Sequence, residues 1–106
     1  MRVEFKETNV FEKQITGLLS DNAYRALQAL LIENPKAGAV IPSGKGLRKL
    51  RWAGSGRGKR GGIRVIYYVI TDDMLLMILA YAKKRKTDIT KDQLKSLVDA
   101  VDFLKG

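Results

Sequence analysis

The 106-residue sequence contains no cysteine, no histidine and only two prolines. Without cysteine the chain forms no disulfide, carries no thiolate nucleophile and has no cysteine-based zinc site. Without histidine it lacks the usual metal ligand and the usual general base near neutral pH. It also lacks the roughly 18 consecutive apolar residues of a transmembrane helix, and its N-terminus has no apolar signal segment. We therefore expect a cytoplasmic protein that makes no use of a membrane.

The acidic residues do not suggest a metal or acid–base site either. Asp72 and Asp73 fall in a turn, where aspartate is favoured because it bonds to the local backbone. The aspartates near the C-terminus occupy positions typical of helix caps and solvated helix faces. No pair of carboxylates and no oxygen cluster suited to magnesium is visible. We expect neither a metal nor a cofactor.

Acidic residues are also missing from the whole middle of the chain. Between Glu33 and Asp72 there is no aspartate or glutamate, but there are nine lysines and arginines. This segment alone accounts for the net charge of +9, since the flanks together are neutral. A surface tuned for solubility mixes its signs, so a block of one sign predicts a polyanionic partner, such as a nucleic acid, an anionic membrane or an acidic protein.

The hydrophobic patterns predict one domain over residues 1–106. Alternation or β-branched and aromatic enrichment marks strands at "MRVEFKET", "LRKLRWA", "IRVIYYVI" and "MLLMILAYAKK". Helices are predicted after the caps Asn9, Ser20 and Thr90, with a capping-box partner at Glu12 and at Gln93. The order β-α-α-β-β-β-α predicts an α+β fold: an antiparallel meander with the N-terminal helices and the C-terminal helix packed on one face.

The stretch "AGSGRGKRGGIRVIYY" contains a G-x-G-x-x-G at Gly56, Gly58 and Gly61. A dinucleotide fingerprint requires a helix after the glycines, but a strand follows them here. A phosphate-binding P-loop is excluded because Lys59 is followed by Arg60 rather than by serine or threonine. Two interpretations remain: a solvated hairpin loop, or a basic loop whose glycines let the backbone approach RNA phosphates.

Strand alternation places Lys49 and Arg51 on one face of the second predicted strand. On the next strand it groups Arg64 with Tyr68. The run "YAKKRK" then follows the last strand, beginning at Tyr81. One face of the sheet could therefore carry cations, or could be an ordinary wet face, and Tyr81 could be a core aromatic or a ring for base stacking.

The chain resembles the RelE/ParE superfamily of toxins from toxin–antitoxin systems. Three strings carry this resemblance: "GLRKLRW", "GKRGGIRVIYYVI" and "LAYAKKRKTDIT". The stretch "NPKAGAVIPSGKGLRKLR" with the glycine-rich basic insertion is most similar to the HigB-like branch. The resemblance covers nearly the whole chain and implies a ribosome-dependent mRNA endonuclease (an mRNA interferase) that inhibits translation. It also implies contacts to ribosomal RNA and a cognate antitoxin that binds DNA. The net charge of +9 predicts an acidic segment on this antitoxin, which neutralises the basic face or covers it.

The resemblance also implies site residues. RelE-like toxins alternate two basic residues on the second strand, matched by Lys49 and Arg51, and open the third with an arginine, matched by Arg64. The basic residue after their fourth strand is matched by Lys84. Their C-terminal tyrosine has no counterpart, since no tyrosine follows Tyr81. The predicted catalytic residues are Lys49, Arg51, Arg64, Tyr81 and Lys84, and the predicted RNA-binding residues are Arg48, Arg57, Lys59, Arg60, Tyr68, Lys83 and Lys86.

Such residues suit metal-independent cleavage of RNA by its own 2′-hydroxyl, which needs alignment, charge stabilisation and two proton transfers. Arg64 suits the charge role because a guanidinium binds phosphate oxygens bidentately. A lysine among other cations can serve as acid or base, and Tyr68 or Tyr81 can stack on a base or move a proton. Two alternatives stay open: a ParE-like inhibitor of DNA gyrase without nuclease activity, and a plain RNA-binding module.

Overall fold

The computed structural model describes residues 3–52, 62–82 and 89–105. Along the chain the elements are β1 (Glu4–Glu7), α1 (Asn9–Leu18), α2 (Asp21–Glu33), β2 (Ala39–Val40), β3 (Leu47–Trp52), β4 (Ile63–Thr71), β5 (Met74–Ala82) and α3 (Lys91–Lys105). The strands form one five-stranded sheet in the order β1-β5-β4-β3-β2. This architecture confirms the predicted α+β class.

Strands β2 to β5 form an antiparallel meander, as predicted for its last three members. Two features differ from the prediction. The segment expected to be only a connector contributes the short strand β2, Ala39–Val40. Strand β1 pairs in parallel with β5 and lies at the opposite edge of the sheet from β2. The helices between β1 and β2 make this possible, because a crossover over one face can carry the chain from one edge to the other.

The helices cover both faces of the sheet, so the prediction that all three share one face was wrong on this point. Helices α1 and α2 bury Phe11, Leu27 and Leu31 against one face. Helix α3 buries Val98 and Val101 against the other. The reason is that β4 and β5 are apolar on both faces along most of their length, and burial of apolar surface requires a cover on each.

The helix starts follow local side-chain chemistry. Ser20 accepts a hydrogen bond from the Ala23 amide and caps α2, as predicted. Thr90 and Gln93 form the predicted reciprocal capping box of α3. The predicted cap Asn9 was wrong by one residue: Thr8 accepts from the Phe11 amide instead. The Thr8 hydroxyl also donates to the carbonyl of Ile78, so this cap ties α1 to β5.

Tyr67 fastens the segment before β2 to the middle of the sheet. Its buried hydroxyl donates to the carbonyl of Pro35 at 2.7 Å and accepts from the Gly38 amide at 2.8 Å. A Cβ at Gly38 would stand 2.8 Å from the Tyr67 ring, so glycine is required for this close approach. The segment that leads into β3 is therefore held in place from the core.

Among the helices that the structure describes, none is long and apolar enough to cross a membrane.

Candidate nucleic-acid interface

Three strands bring the principal predicted site residues into one row. Arg51 on β3 is the cross-strand partner of Arg64 on β4, and Arg64 is the partner of Tyr81 on β5. Directly opposed residues in an antiparallel sheet have Cβ atoms about 4.5–5.5 Å apart. The row therefore holds two guanidinium groups and a phenol on adjacent strands.

Lys49 lies on the same face, in the next row towards the interior of the sheet. It is the partner of Ile66, which in turn pairs with Leu79. Since Lys49 and Arg51 are two residues apart on one strand, they point to the same side. We refer to Lys49, Arg51 and Arg64 as the cationic cluster. Its placement on one face confirms the face predicted from strand alternation.

The cationic cluster is unfavourable for the stability of the sheet. Like charges directly opposite each other on neighbouring strands repel. Arg64 is only 8% exposed, so among the residues that the structure describes it is a charged residue in the interior. Its Nη1 lies 3.5 Å from the carbonyl oxygen of Ile63, which is a long hydrogen bond. Two like charges held side by side on neighbouring strands mark this face as a candidate site for an anion.

Tyr81 reaches this face because of a β-bulge. The register between β4 and β5 shifts after Ile66, whose partner is Leu79, whereas the partner of Tyr67 is Met77. Ile78 is the extra residue, and both Ile78 and Leu79 pack on the side of α3. An extra residue reverses the alternation beyond it. Strict alternation from Leu75 would have pointed Tyr81 towards α1, away from Arg64.

The ring of Tyr81 is largely covered. Its side chain is 8% exposed and belongs to the apolar cluster under α3. This placement agrees with the core interpretation of Tyr81 and still leaves it next to Arg64 in the row. A catalytic role for Tyr81 therefore requires that the substrate contact the small exposed part of this ring.

Tyr68 shares the face of Arg64 but lies nearer the other end of β4. Four residues of strand separate the two, which is roughly 13 Å at the usual rise per residue. The Tyr68 ring covers Gly46, whose backbone has φ +99° and where a Cβ would stand 2.9 Å from the ring. The structure therefore places Tyr68 beside the turn before β3 and not beside Arg64.

Arg48 does not join the cationic cluster. It lies between Leu47 and Lys49 on β3 and therefore points to the opposite face. Its Nη1 donates to the carbonyl of Gly38 at 2.7 Å and to that of Lys36 at 3.3 Å. The geometry gives this side chain a structural contact, which holds the segment before β2 against β3.

Six predicted residues lie outside the described part of the chain: Arg57, Lys59, Arg60, Lys83, Lys84 and Lys86. The sequence nevertheless fixes where their segments are attached. The first connects the ends of β3 and β4, next to Arg51 and Arg64, and the second begins after Ala82, next to Tyr81. Both basic segments are thus joined to the sheet at the end that carries the row.

Tyr24 and Tyr67, whose pKa values are shifted, lie away from the cationic cluster. Burial raises the pKa of Tyr67. Burial, together with a hydrogen bond and a charge from Glu7, also raises the pKa of Tyr24, whose hydroxyl bonds to the Glu7 carboxylate. Both are neutral structural groups. Within residues 3–52, 62–82 and 89–105, no set of three or more acidic side chains is grouped so that it could hold a metal ion.

Sequence reasoning missed the direct opposition of Arg51 and Arg64. The segment between β3 and β4 is too long to fix the register of the hairpin by turn type. The only available signal was the chain's unbroken block of positive charge. The pairing register is what brings Arg51 and Arg64 side by side.

The structure is thus a small α+β domain with cations grouped on one sheet face, a pattern typical of proteins that bind polyanions. The family model for the RelE toxin of the RelE / RelB toxin-antitoxin system matches residues 4–104. Because this match spans nearly the whole chain, the protein belongs to the RelE toxin family. It is the toxin of a toxin–antitoxin pair, in a family whose members typically inhibit translation and are generally endoribonucleases. Its assignment to the HigB-like branch stays a prediction.

Proposed function

We propose that this protein is a ribosome-dependent mRNA endonuclease of the cytoplasm. The observation that carries the proposal is the row in which Arg51 and Arg64 stand opposite each other, with Lys49 on the same face. Two guanidinium groups at this spacing can grip the oxygens of one phosphate from two sides. Family membership supports an RNA substrate, and the positive field supports fast capture of it.

The proposed reaction transfers two protons, forms one phosphorus–oxygen bond and breaks another. The 2′-hydroxyl oxygen attacks the adjacent phosphorus, and the bond from phosphorus to the 5′-oxygen of the next nucleotide breaks. The products are a 2′,3′-cyclic phosphate and a 5′-hydroxyl. One proton leaves the attacking oxygen and one is delivered to the leaving oxygen. The protein must stabilise the charge that develops on the phosphate oxygens.

The residues of the row divide these tasks. Arg64 is held by the core, so its guanidinium is preorganised for the phosphate, while Arg51 approaches from the exposed side. Lys49 and Tyr81 are the neighbouring groups that carry transferable protons. Lys84 lies outside the described residues and follows the end of β5 by two positions in the sequence. With no histidine in the chain, proton transfer is the weak part of this site, so we propose that the ribosome supplies a reactive mRNA geometry.

The test is primer extension on an mRNA in a purified translation system. Wild-type protein, Arg64→Ala and Arg51→Gln are compared with and without ribosomes. Arg25→Gln is the matched control, since Arg25, like Arg51, is an exposed cation, and it lies on α2, which packs on the other face of the sheet. We expect cuts only with ribosomes, normal cutting by the control, and a loss of at least a hundredfold for each row variant, typical of losing a preorganised charge contact.

Circular dichroism separates loss of the site from loss of the fold, which matters most for the buried Arg64. Robust cleavage of RNA without ribosomes would contradict the ribosome dependence. Equal activity of Arg51→Gln and wild type would contradict the role of the row. If growth inhibition came with DNA damage and intact mRNA, the gyrase alternative would replace the proposal. Binding without cleavage or growth inhibition would indicate a plain RNA-binding module.

A further inference from the structure

A second basic feature lies on the face of the sheet that α3 covers. A groove of about 660 Å³ runs between α3 and the turn that precedes β3. Its apolar lining comes from Pro42, Leu94 and Val98. Its charged lining consists of Lys45 from the turn and of Lys91 and Lys95 from α3, with a single carboxylate, Asp99. We refer to it as the α3 groove.

Lys91 and Lys95 of the α3 groove lie at positions that are unfavourable for the stability of α3. Lys91 occupies the first turn of α3, where the helix dipole disfavours a cation. Lys95 follows it by four residues on the same helix face, so the two positive charges repel each other. The Nζ of Lys95 is 4.0 Å from Asp99, with both side chains mostly exposed, and such a pair contributes little. As in the cationic cluster, these charges suit a polyanionic ligand.

The backbone of the turn adds to this pattern. Ser43 and Lys45 have positive φ values of 64° and 51°, which are uncommon for residues with a side chain. The turn is nevertheless fixed by hydrogen bonds, since the Gly44 amide donates to Ile41 and the Leu47 amide donates to Gly44. The positive φ at Lys45 is thus part of an ordered turn that holds this lysine at the mouth of the α3 groove.

The turn that carries Lys45 leads directly into β3, the strand that carries Lys49 and Arg51 of the cationic cluster. Leu47, Lys49 and Arg51 follow one another on the same face of β3, and Leu47 packs under α3. Lys45 precedes Leu47 by two residues, so positive side chains lead from the α3 groove along β3 to the row. From Leu47 to Arg51 the strand extends roughly 13 Å. An extended nucleic-acid strand a few nucleotides long spans that distance.

We propose that the α3 groove binds the single-stranded RNA substrate beside the nucleotide that is cleaved, with phosphates on the lysines and sugars against the apolar floor. This inference rests on the proposed function, which supplies the RNA. A groove that tracks a phosphate backbone with cations is the usual means of holding single strands without sequence preference. The α3 groove would then position the strand whose scissile phosphate lies at Arg51 and Arg64.

The test measures binding of a fluorescent 2′-O-methyl RNA oligonucleotide, which the protein cannot cleave, so a failed nuclease proposal leaves the test intact. The groove variant carries Lys45→Gln, Lys91→Gln and Lys95→Gln. The matched control carries Lys6→Gln, Lys13→Gln and Arg25→Gln, an equal loss of charge on exposed residues of other elements. Affinity is measured from 50 to 300 mM salt by fluorescence anisotropy.

We expect the groove variant to reduce the slope of log affinity against log salt by about 2, since each lost phosphate contact on a single strand removes roughly 0.7. The control variant should keep the wild-type slope. A second pair gives a change that misfolding cannot imitate. Asp99→Asn removes the carboxylate of the groove and should tighten binding about two- to threefold by Coulomb's law in water. Asp102→Asn, on the same helix but outside the groove lining, should leave affinity unchanged.

Equal slopes for the groove and control variants would overturn the proposal, because only the overall field would then matter. So would tighter binding from both aspartate variants. Polyglutamate serves as a competing probe. If the groove variant bound RNA normally but lost affinity for polyglutamate, the α3 groove would be a site for an acidic protein segment and the RNA proposal would be wrong.

Discussion

Removal of the Arg51 charge should stabilise the fold while it abolishes activity. Arg51 stands directly opposite Arg64, and Arg64 is buried. Like charges in this position are destabilising, and favourable cross-strand pairs are worth about 0.2–1 kcal/mol each. Two unit charges about 7 Å apart in a water-like dielectric repel by about 0.6 kcal/mol, which agrees. Since Arg51 itself is exposed, we take about 0.5 kcal/mol as the gain for Arg51→Gln.

This gain corresponds to a rise in melting temperature of about 2 °C for a domain of this length. Differential scanning calorimetry at 50 mM salt would measure it, with three comparisons. Arg51→Lys keeps the charge and should melt like wild type. Arg25→Gln lowers the net charge equally, far from Arg64, and should also melt like wild type. At 1 M salt, where the Debye length is about 3 Å, the gain from Arg51→Gln should disappear.

The reasoning would be refuted by a lower melting temperature for Arg51→Gln, or by a gain that is the same at both salt concentrations. The first result would mean that Arg51 stabilises the sheet, so that its position opposite Arg64 carries no cost. The second would mean that the gain comes from strand propensity rather than from charge. Loss of RNA cleavage with a gain in stability is the signature expected of a residue kept for its function.

Further predictions concern glycines and tyrosines of the fold. Gly46→Ala should destabilise the protein by about 1–3 kcal/mol, because the new Cβ strains a positive φ and meets the Tyr68 ring. Gly17→Ala, where the new Cβ enters open space, should stabilise the protein by up to about 1 kcal/mol. Equal changes of the two variants in urea unfolding would contradict this contrast. Tyr67→Phe leaves the buried Gly38 amide and the partly buried Pro35 carbonyl without their partner, and it should cost about 1–3 kcal/mol in the same assay. A cost below about 0.5 kcal/mol would show that these bonds contribute little. Burial raises the pKa of Tyr24 and Tyr67 in the folded state above the value of about 10 in the unfolded chain. The free energy of unfolding should therefore fall as the pH rises above about 10. Measured at pH 8 and pH 11, this fall should be smaller for the variant with both tyrosines changed to Phe, and an equal fall would disprove the linkage.

Much of the fold could be predicted because its signals are local. The caps Ser20 and Thr90 each need only residues within three positions, and the structure confirms both. The same locality explains the error at Asn9: Thr8 also has a capping side chain, and its second hydrogen bond reaches Ile78, which is distant in sequence. The prediction considered Asn9 alone, whereas the packing of α1 on β5 selects Thr8.

The candidate site was predictable in its composition and only partly in its geometry. Alternation of side chains placed Lys49 and Arg51 on one face, because a strand repeats every two residues wherever it lies. It could not give the partner of Arg51, since the register of β3 against β4 depends on contacts across the sheet. It would also have placed Tyr81 on the wrong face, because no residue pattern in β5 announces the bulge at Ile78.

The sequence by itself determined what chemistry is available and where the charge is concentrated. With no histidine and no cysteine, and with an acid-free middle segment, the chain has only arginine and lysine as cationic side chains for an anion site. Only the tertiary structure decided that Arg51 faces Arg64, that Tyr81 stands beside them, and that α3 covers the face with the cations. Strand and helix periods are properties of neighbouring residues, whereas register, bulges and the choice of face follow from burying apolar surface among segments far apart in the chain.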